Sequence, residues 1–424
     1  MSSTPEPVPL SPRDPAPKNG ILSSTTQVFL GMLFSYLGLG MVVPIMAPLV
    51  LQLGLTELQG GLIFAVNYLL WVLASPFWGA RTETWGRKPI ILMGLIGFSL
   101  GHLLFGLAAE LGLHGWLGGG GLLAALIATR ALAGGLFSGA PPASQAFVVD
   151  TVSARQRTAA VGLLGAAAGI GTVAGPVVTL VTSFVELPLT VPIYLAAAMP
   201  LIPAAVIWFL LPAGQSRPRK APPKLSFWDR RYVSVLGVGL MMNVAFALVL
   251  FTLGFYIKQQ LGLDEHATAF KSAVAMALVG LVAFFVQAVL LRALRWSPIT
   301  LMRVGLVVMA VGMLQLTYTM HNEYLVYLAV VVIGAGYSFT YPGFQTAITF
   351  TVGTDEQGSV AGLAAGAGAV AFIVGPVLGT WMYGWVWWSP YILSAVLLAC
   401  TAAFAMFSPG MKKLRRVSKG LEGV

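Results

Sequence analysis

Gln52-Leu53-Gly54-Leu55-Thr56-Glu57 and Gln260-Leu261-Gly262-Leu263-Asp264-Glu265 are nearly the same hexapeptide, identical at five of six positions. Each copy follows one long apolar run and precedes another. Thr56 and Asp264 are both good N-cap residues for the helix that starts there. A second set of matches runs without gaps at an offset of 200. Gly134, Ser138, Pro142 and Gln145 recur as Gly334, Ser338, Pro342 and Gln345. Gly162, Leu163, Gly175 and Pro176 recur as Gly362, Leu363, Gly375 and Pro376. Two registers of this kind point to a chain built from two related halves.

The composition says what solvent those halves face. Of 424 residues, 57% are apolar and 9% charged, where soluble domains carry about 25% charged residues. Too little polar surface exists to cover a water-soluble core, whereas lipid solvates the outside of a bilayer protein. Runs of about 20 apolar residues, the length a bilayer requires, fall at 27–51, 58–78, 89–109, 122–149, 158–181 and 189–211. Six more fall at 233–257, 269–291, 299–319, 324–349, 359–385 and 391–407. The fold expected is an all-α membrane protein with twelve transmembrane helices in two pseudo-symmetric six-helix bundles.

The net charge of +10 reflects topology, not nucleic-acid binding, because the basic residues sit in short runs between spans. If both termini are cytoplasmic, 21 of the 24 Lys and Arg lie inside, as the positive-inside rule asks. Lys258 and Lys271 fall outside, and Arg130 falls within the membrane. The expected organisation is a disordered cytoplasmic tail (1–24), a first bundle (25–212), a basic linker (213–232), a second bundle (233–410) and a basic tail (411–424). The Pro- and Ser-rich start is not expected to be a signal peptide. The single cysteine, Cys400, permits no disulfide within the chain and no thiolate metal cluster, and reads as a small packing residue. No metal or cofactor is expected, and no nucleophile constellation suggests an enzyme. No Gly-x-x-x-x-Gly-Lys-Ser/Thr segment is present to use ATP.

Three stretches resemble motifs of the major facilitator superfamily. Gly79-Ala80-Arg81-Thr82-Glu83-Thr84-Trp85-Gly86-Arg87-Lys88-Pro89 is similar to its signature loop, Gly-x-Leu-Ala-Asp-Arg-x-Gly-Arg-Arg/Lys-Pro. It keeps Gly79, Gly86, Arg87, Lys88 and Pro89, and departs at Arg81, Glu83 and Thr84. Arg130-Ala131-Leu132-Ala133-Gly134 is similar to the Arg-x-x-x-Gly motif of the fourth span. Gly162, Gly171, Gly175 and Pro176 have the antiporter-motif spacing, although Thr179 stands where the family motif closes on glycine. The resemblance covers nearly the whole chain and is greatest to the drug:proton antiporter branch, which includes siderophore and metabolite exporters.

The resemblance implies proton-coupled efflux of a small organic molecule by alternating access, in a bacterial inner membrane, by a monomer. An importer or facilitator of the same fold is the alternative. It also implies a cytoplasmic gate of Glu83, Arg87 and Asp150. Its cavity would be lined mainly by spans one, four, seven and ten. Candidate liners are Phe34, Tyr36, Asn243, Phe246, Tyr337, Tyr341 and Gln345, with Asn67 and Tyr68 from span two. Coupling candidates are Arg130, whose charge at that depth costs about 2.5–3.5 kcal/mol to insert, and His102, which is the histidine that falls within a span. No Asp or Glu falls in the middle of a span, so Arg130 needs carbonyls or an anionic substrate group as partner. Trp385, Trp387 and Trp388 read as an interfacial aromatic belt.

Overall fold

A computed structural model describes residues 23–152, 156–212, 225–294, 296–319, 321–408 and 411. Residues 1–22, 213–224 and 412–424 of the expected tails and linker lie outside the described residues, as do Arg155 and Arg295.

Twelve helices are long and apolar enough to cross a membrane, and no strand occurs among the described residues. The first six are α1 (Ser24–Gln52), α2 (Glu57–Trp85), α3 (Arg87–Leu113), α4 (Gly119–Thr151), α5 (Ala159–Phe184) and α6 (Val191–Leu210). The second six are α7 (Val233–Leu261), α8 (Glu265–Leu294), α9 (Pro298–Leu316), α10 (Glu323–Thr349), α11 (Gln357–Trp385) and α12 (Ser389–Phe407). Most contain their expected apolar run and several extend beyond it, whereas α5 starts one residue inside 158–181, α6 falls short of 189–211 at both ends and α9 stops at Leu316, short of 319. The apolar run marks the bilayer-crossing part, whereas the hydrogen-bonded ladder continues until the backbone breaks it. In α2 that happens at Gly86, where φ is 91°, a region that glycine enters without a Cβ penalty.

The repeated hexapeptide folds twice in the same way. Gly54 and Gly262 both take positive φ, 70° and 63°. Thr56 then forms a capping box with Gln59, while the Asp264 side chain accepts from the Ala267 amide at 2.7 Å. These caps satisfy donors that the start of a helix leaves orphaned.

Helix pairing repeats as well. α1 packs on α5, α2 and α3 on α4, and α3 on α6. Six helices later, α7 packs on α11, α8 and α9 on α10, and α9 on α12. The polar clamps follow the same symmetry. On α3, Lys88 Nζ donates to the carbonyls of Trp208 and Leu211 at the end of α6. On α9, Arg303 donates to the carbonyls of Ala405 and Met406 at the end of α12. A cation at a helix C-terminus satisfies orphan carbonyls and favours the dipole. Pro76 interrupts the ladder of α2, and α8 makes a π turn at Val286–Leu290. The hexapeptide offset (260 − 52 = 208) carries Pro76 to position 284, next to that turn, so both helices are relaxed at the same level.

Alternating spans define two faces: a tail face, where α1 begins and α12 ends, and a hairpin face, where the two hexapeptides lie. The bundles meet at mid-depth and toward the hairpin face. Gly254 of α7 packs on Ala47 of α1, Gly61 of α2 on Pro376 and Thr380 of α11, and Gly280 of α8 on Val173 of α5. One apolar core therefore runs from the second bundle into the hairpin-side half of the first, through Met41–Val50, Phe64 and Phe255. The tail-side half of the first bundle keeps a separate core around Met32, Phe98 and Phe147. Toward the tail face the bundles part. A Cβ added at Gly162, Gly165 or Gly169 of α5, or at Gly358 or Gly362 of α11, would meet nothing within 4 Å.

Candidate functional site

A cavity of about 360 Å³ opens in the tail-side wall of the first bundle. α1 contributes Met32 and Tyr36, α4 contributes Pro141, Pro142 and Gln145, and α5 contributes Leu164, Gly165 and Ala168. Its size and its few polar groups among apolar ones suit a small organic ligand. α4 is interrupted at Ser138 and Gly139 just before this wall, which leaves Pro141 and Pro142 at the start of its second segment, where their missing donors cost little.

The second bundle carries an aromatic ladder on α7 and α10. Phe246 stacks on Tyr337 (4.1 Å, 21°), and Tyr337 stacks on Tyr341 (5.5 Å, 20°). Asn243 locks this ladder: its Nδ2 donates to Gly239 O at 2.7 Å, and its Oδ1 accepts from Tyr337 Oη at 3.2 Å. Gln345 Nε2 donates to Tyr341 Oη at 2.9 Å. Tyr36 has Tyr341 of the second bundle and Tyr68 of α2 as electrostatic neighbours. Toward the hairpin face the space is floored by rings from both bundles: Phe64 against Phe251 (4.4 Å), and Tyr68 against Phe372 (5.1 Å) and Phe251 (6.4 Å).

Behind that floor lies the charge centre. Arg130 is 2% exposed and His102 is 0% exposed. Arg130 Nη1 donates to His102 Nε2 at 3.0 Å, and His102 Nδ1 bonds the Phe98 carbonyl at 2.9 Å. A carbonyl can only accept and a guanidinium can only donate. His102 is therefore the neutral Nδ1–H tautomer, stacked on Phe98 at 4.0 Å. The guanidinium also lies 5.9 Å from the Phe64 ring and 5.6 Å from the Phe105 ring, a favourable cation–π arrangement. Arg130 Nε and Asn67 Nδ2 are buried without an acceptor. Arg130 thus faces the interior of its bundle, held by an imidazole in place of carbonyls.

At the tail face, Arg87 is 4% exposed. Its Nε and Nη2 each reach Asp150 Oδ2 at 3.3 Å, and its Nη1 donates to Thr82 O at 3.0 Å. Glu83 is exposed and stands apart from this pair, so two of the three expected gate residues are together in this conformation.

The four motif positions of α5 divide in the same way. Gly171 lies against Leu33 O (2.6 Å from where a Cβ would be), and Gly175 against Gly40 Cα (2.6 Å). These absences of a side chain let α1 and α5 cross closely. Pro176 joins that crossing against Gly40, and Thr179, where the family motif has glycine, donates to Met41 O at 2.8 Å. Gly162 is exposed to open space.

Of the expected cavity liners, Tyr36 lines the cavity, Phe246, Tyr337, Tyr341, Asn243 and Gln345 form one stacked and hydrogen-bonded cluster within the second bundle, and Tyr68 packs with Phe251 and Phe372. Phe34, two residues from Tyr36 and so about 200° around the helix, is not among the lining residues. Asn67 is buried against Gly134 of α4. Gln145, Met32 and the two prolines were not anticipated, although the offset of 200 pairs Gln145 with Gln345. Of the tryptophan belt, Trp385 and Trp388 are exposed, while Trp387 turns in toward Tyr256, with ring centroids 6.0 Å apart.

The same architecture is found in known proteins. The chain is 25% identical to Multidrug resistance protein 1 of Bacillus subtilis over 395 residues, covering 90% of this chain and 95% of that protein. It is 23% identical to the class B tetracycline resistance protein of Escherichia coli over 394 residues, covering 86% and 92%. The crystal structure of a D-xylose-proton symporter superposes with a TM-score of 0.70 at 16% identity, covering 92% of this chain and 99% of that one. The sequence profile of the Major Facilitator Superfamily matches residues 28–372 and 293–423. With twelve spans, paired helices that repeat after six, and a profile that runs nearly end to end, the chain belongs to the major facilitator superfamily.

Proposed function

We propose that this multi-pass membrane protein is a proton-coupled exporter of a small organic molecule, working as a monomer in a bacterial inner membrane with its tail face in the cytoplasm. The observation that carries the reading is the shape of the cleft: the bundles are joined at the hairpin face and parted at the tail face, beside a cavity in the wall of the first bundle. Two related bundles can rock about such a site and expose it to each side in turn. The excess of Lys and Arg on the tail face supports the orientation. The drug- and tetracycline-resistance names of the two relatives support export, as does the glycine spacing of α5.

For coupling, the reading assigns the proton to His102 and Arg130. A proton arriving at His102 Nε2 removes the acceptor that Arg130 uses and places two cations side by side. Arg130 must then leave, and its long side chain can turn toward Tyr68, with which it already interacts electrostatically. The state open to the tail face, where an exporter releases its proton, holds His102 neutral. In this scheme Arg87 and Asp150 are gate residues, poised for Glu83 to join them when the tail face closes.

The test is uptake of a fluorescent drug into everted membrane vesicles with and without a pH gradient. The reading predicts accumulation that collapses when the gradient is dissipated. Unchanged flux would remove proton coupling, and loss of preloaded drug in place of uptake would reverse the direction.

A further inference from the structure

A ligand in the cleft meets a narrow set of surfaces. On one side, Gly165 contributes no side chain, and a Cβ there would meet nothing within 4 Å, while Pro141 and Pro142 stiffen the wall beside it. On the other side, the ladder of Phe246, Tyr337 and Tyr341 ends in a ring that is 39% exposed. The inner faces of that ladder already cover one another, so what remains is one flat face and not a cage around a cation. Among the lining residues of the cavity, polar contact is confined to Tyr36 and Gln145, which suit the edge of a ring; Gln345 is bonded to Tyr341 Oη.

Charge narrows the choice further. Among the described residues, every Asp and Glu lies near an end of a span or in a connection, as Glu57, Glu110, Asp150 and Glu323 illustrate. The formal charge buried in the middle of the spans is Arg130, with a neutral histidine as its partner. Inside a medium of low polarity, that charge repels a cation and attracts an anion at distances where water would screen it.

We infer that the cleft between this cavity and the ladder takes a flat aromatic ligand without positive charge, an anion best of all, stacked on the free face of Tyr341. The inference rests on the exporter reading for what the cavity does, and stands on its own geometry for what the cavity binds.

The experiment measures fluorescence anisotropy of two planar dyes on the purified full-length protein: fluorescein, an anion, and ethidium, a cation. Fluorescein is expected to bind at least tenfold more tightly. Tyr341→Leu should weaken it about tenfold, Tyr341→Phe should not, and Gln145→Glu should reverse the order of the two dyes. Equal or tighter ethidium binding, an unchanged fluorescein affinity in Tyr341→Leu, or no binding of either dye at millimolar concentration overturns the inference. Vesicle uptake of the same dyes separates the two readings. Fluorescein that binds as described but is never pumped counts against export alone, whereas ethidium pumped in preference to fluorescein counts against the ligand class alone.

Discussion

Arg130 of α4 and His102 of α3 share a buried hydrogen bond of 3.0 Å, and that bond fixes which nitrogen of the imidazole carries its proton. The pair explains how a guanidinium can rest in the middle of a membrane protein without a carboxylate. It makes one neutral acceptor, two aromatic faces and a dry interior do the work of a counter-ion.

Removing the acceptor should therefore cost more than removing a packed histidine. His102→Ala leaves Nη1 of a buried cation unbonded, a loss of about 2–3 kcal/mol, read as lower thermal stability in detergent. His102→Gln, whose amide oxygen can accept, should lose less. Arg130→Ala is expected to insert normally and to abolish transport in everted vesicles. Normal transport by that variant would show that the charge is dispensable.

The glycines of α5 should not behave alike. At Gly175 a methyl group meets Leu37 O at 2.5 Å and Gly40 at 2.6 Å, and overpacking of this kind costs about 1–3 kcal/mol. Gly162→Ala meets open space and gains helix propensity, so it should be neutral or stabilising by about 0.5–1 kcal/mol. Thermal unfolding of the two alanine variants separates them; equal losses would mean that the α1–α5 crossing is not the reason for the spacing.

Gly61 tests the hairpin-side closure. Any side chain there runs into Thr380 Oγ1 and the Pro376 carbonyl across the bundle boundary. Gly61→Leu should hold the hairpin face open, seen as faster alkylation of a cysteine placed at Glu57. Transport should be lost while membrane insertion is retained.

Arg231 bridges Asp229 and Glu356, with Nη1 to Glu356 Oε2 at 2.7 Å and Nε to Asp229 Oδ2 at 2.9 Å. Its hydrogen bonds hold both carboxyls below their ordinary range. A depressed acid contributes stability that is fully present above its unfolded pKa, near pH 4, and fades as pH falls through the lower folded value. The stability difference between the native chain and Arg231→Gln should thus be flat from about pH 5 to 8 and shrink in acid below about pH 4. A difference that grows on acidification would contradict the assignment. Screening at this exposed site keeps the effect small at all pH values.

Much of this was legible in the sequence, for physical reasons. The length of an apolar run is set by the bilayer, so the twelve spans could be counted. The hexapeptide copies share a turn and a cap, so the two halves could be aligned. Side-chain partnership was harder to read. Arg130 and His102 are 28 residues apart on different helices, and helical periodicity gives a face but not what that face meets. Arg87 needed an acid, and charge alone did not choose Asp150 over Glu83. Phe64, Phe251 and Phe372 escaped notice because an aromatic in an apolar span looks the same whether it meets lipid or the other bundle. Gln145 was within reach, since its counterpart Gln345 had been singled out.

The account depends on two bundles that close at one face as they open at the other. Pulsed electron–electron resonance on a Cys400→Ser background can follow this with two spin-label pairs between α5 and α8. One pair replaces Phe184 and Phe270 near the hairpin face, whose rings now lie 6.4 Å apart; the other replaces Leu163 and Phe285 toward the tail face. The prediction is a short first distance and a long second one in the resting protein, moving in opposite directions when drug is added and the pH is lowered. Distances that lengthen together, or that stay fixed under all conditions, would contradict the rocking mechanism.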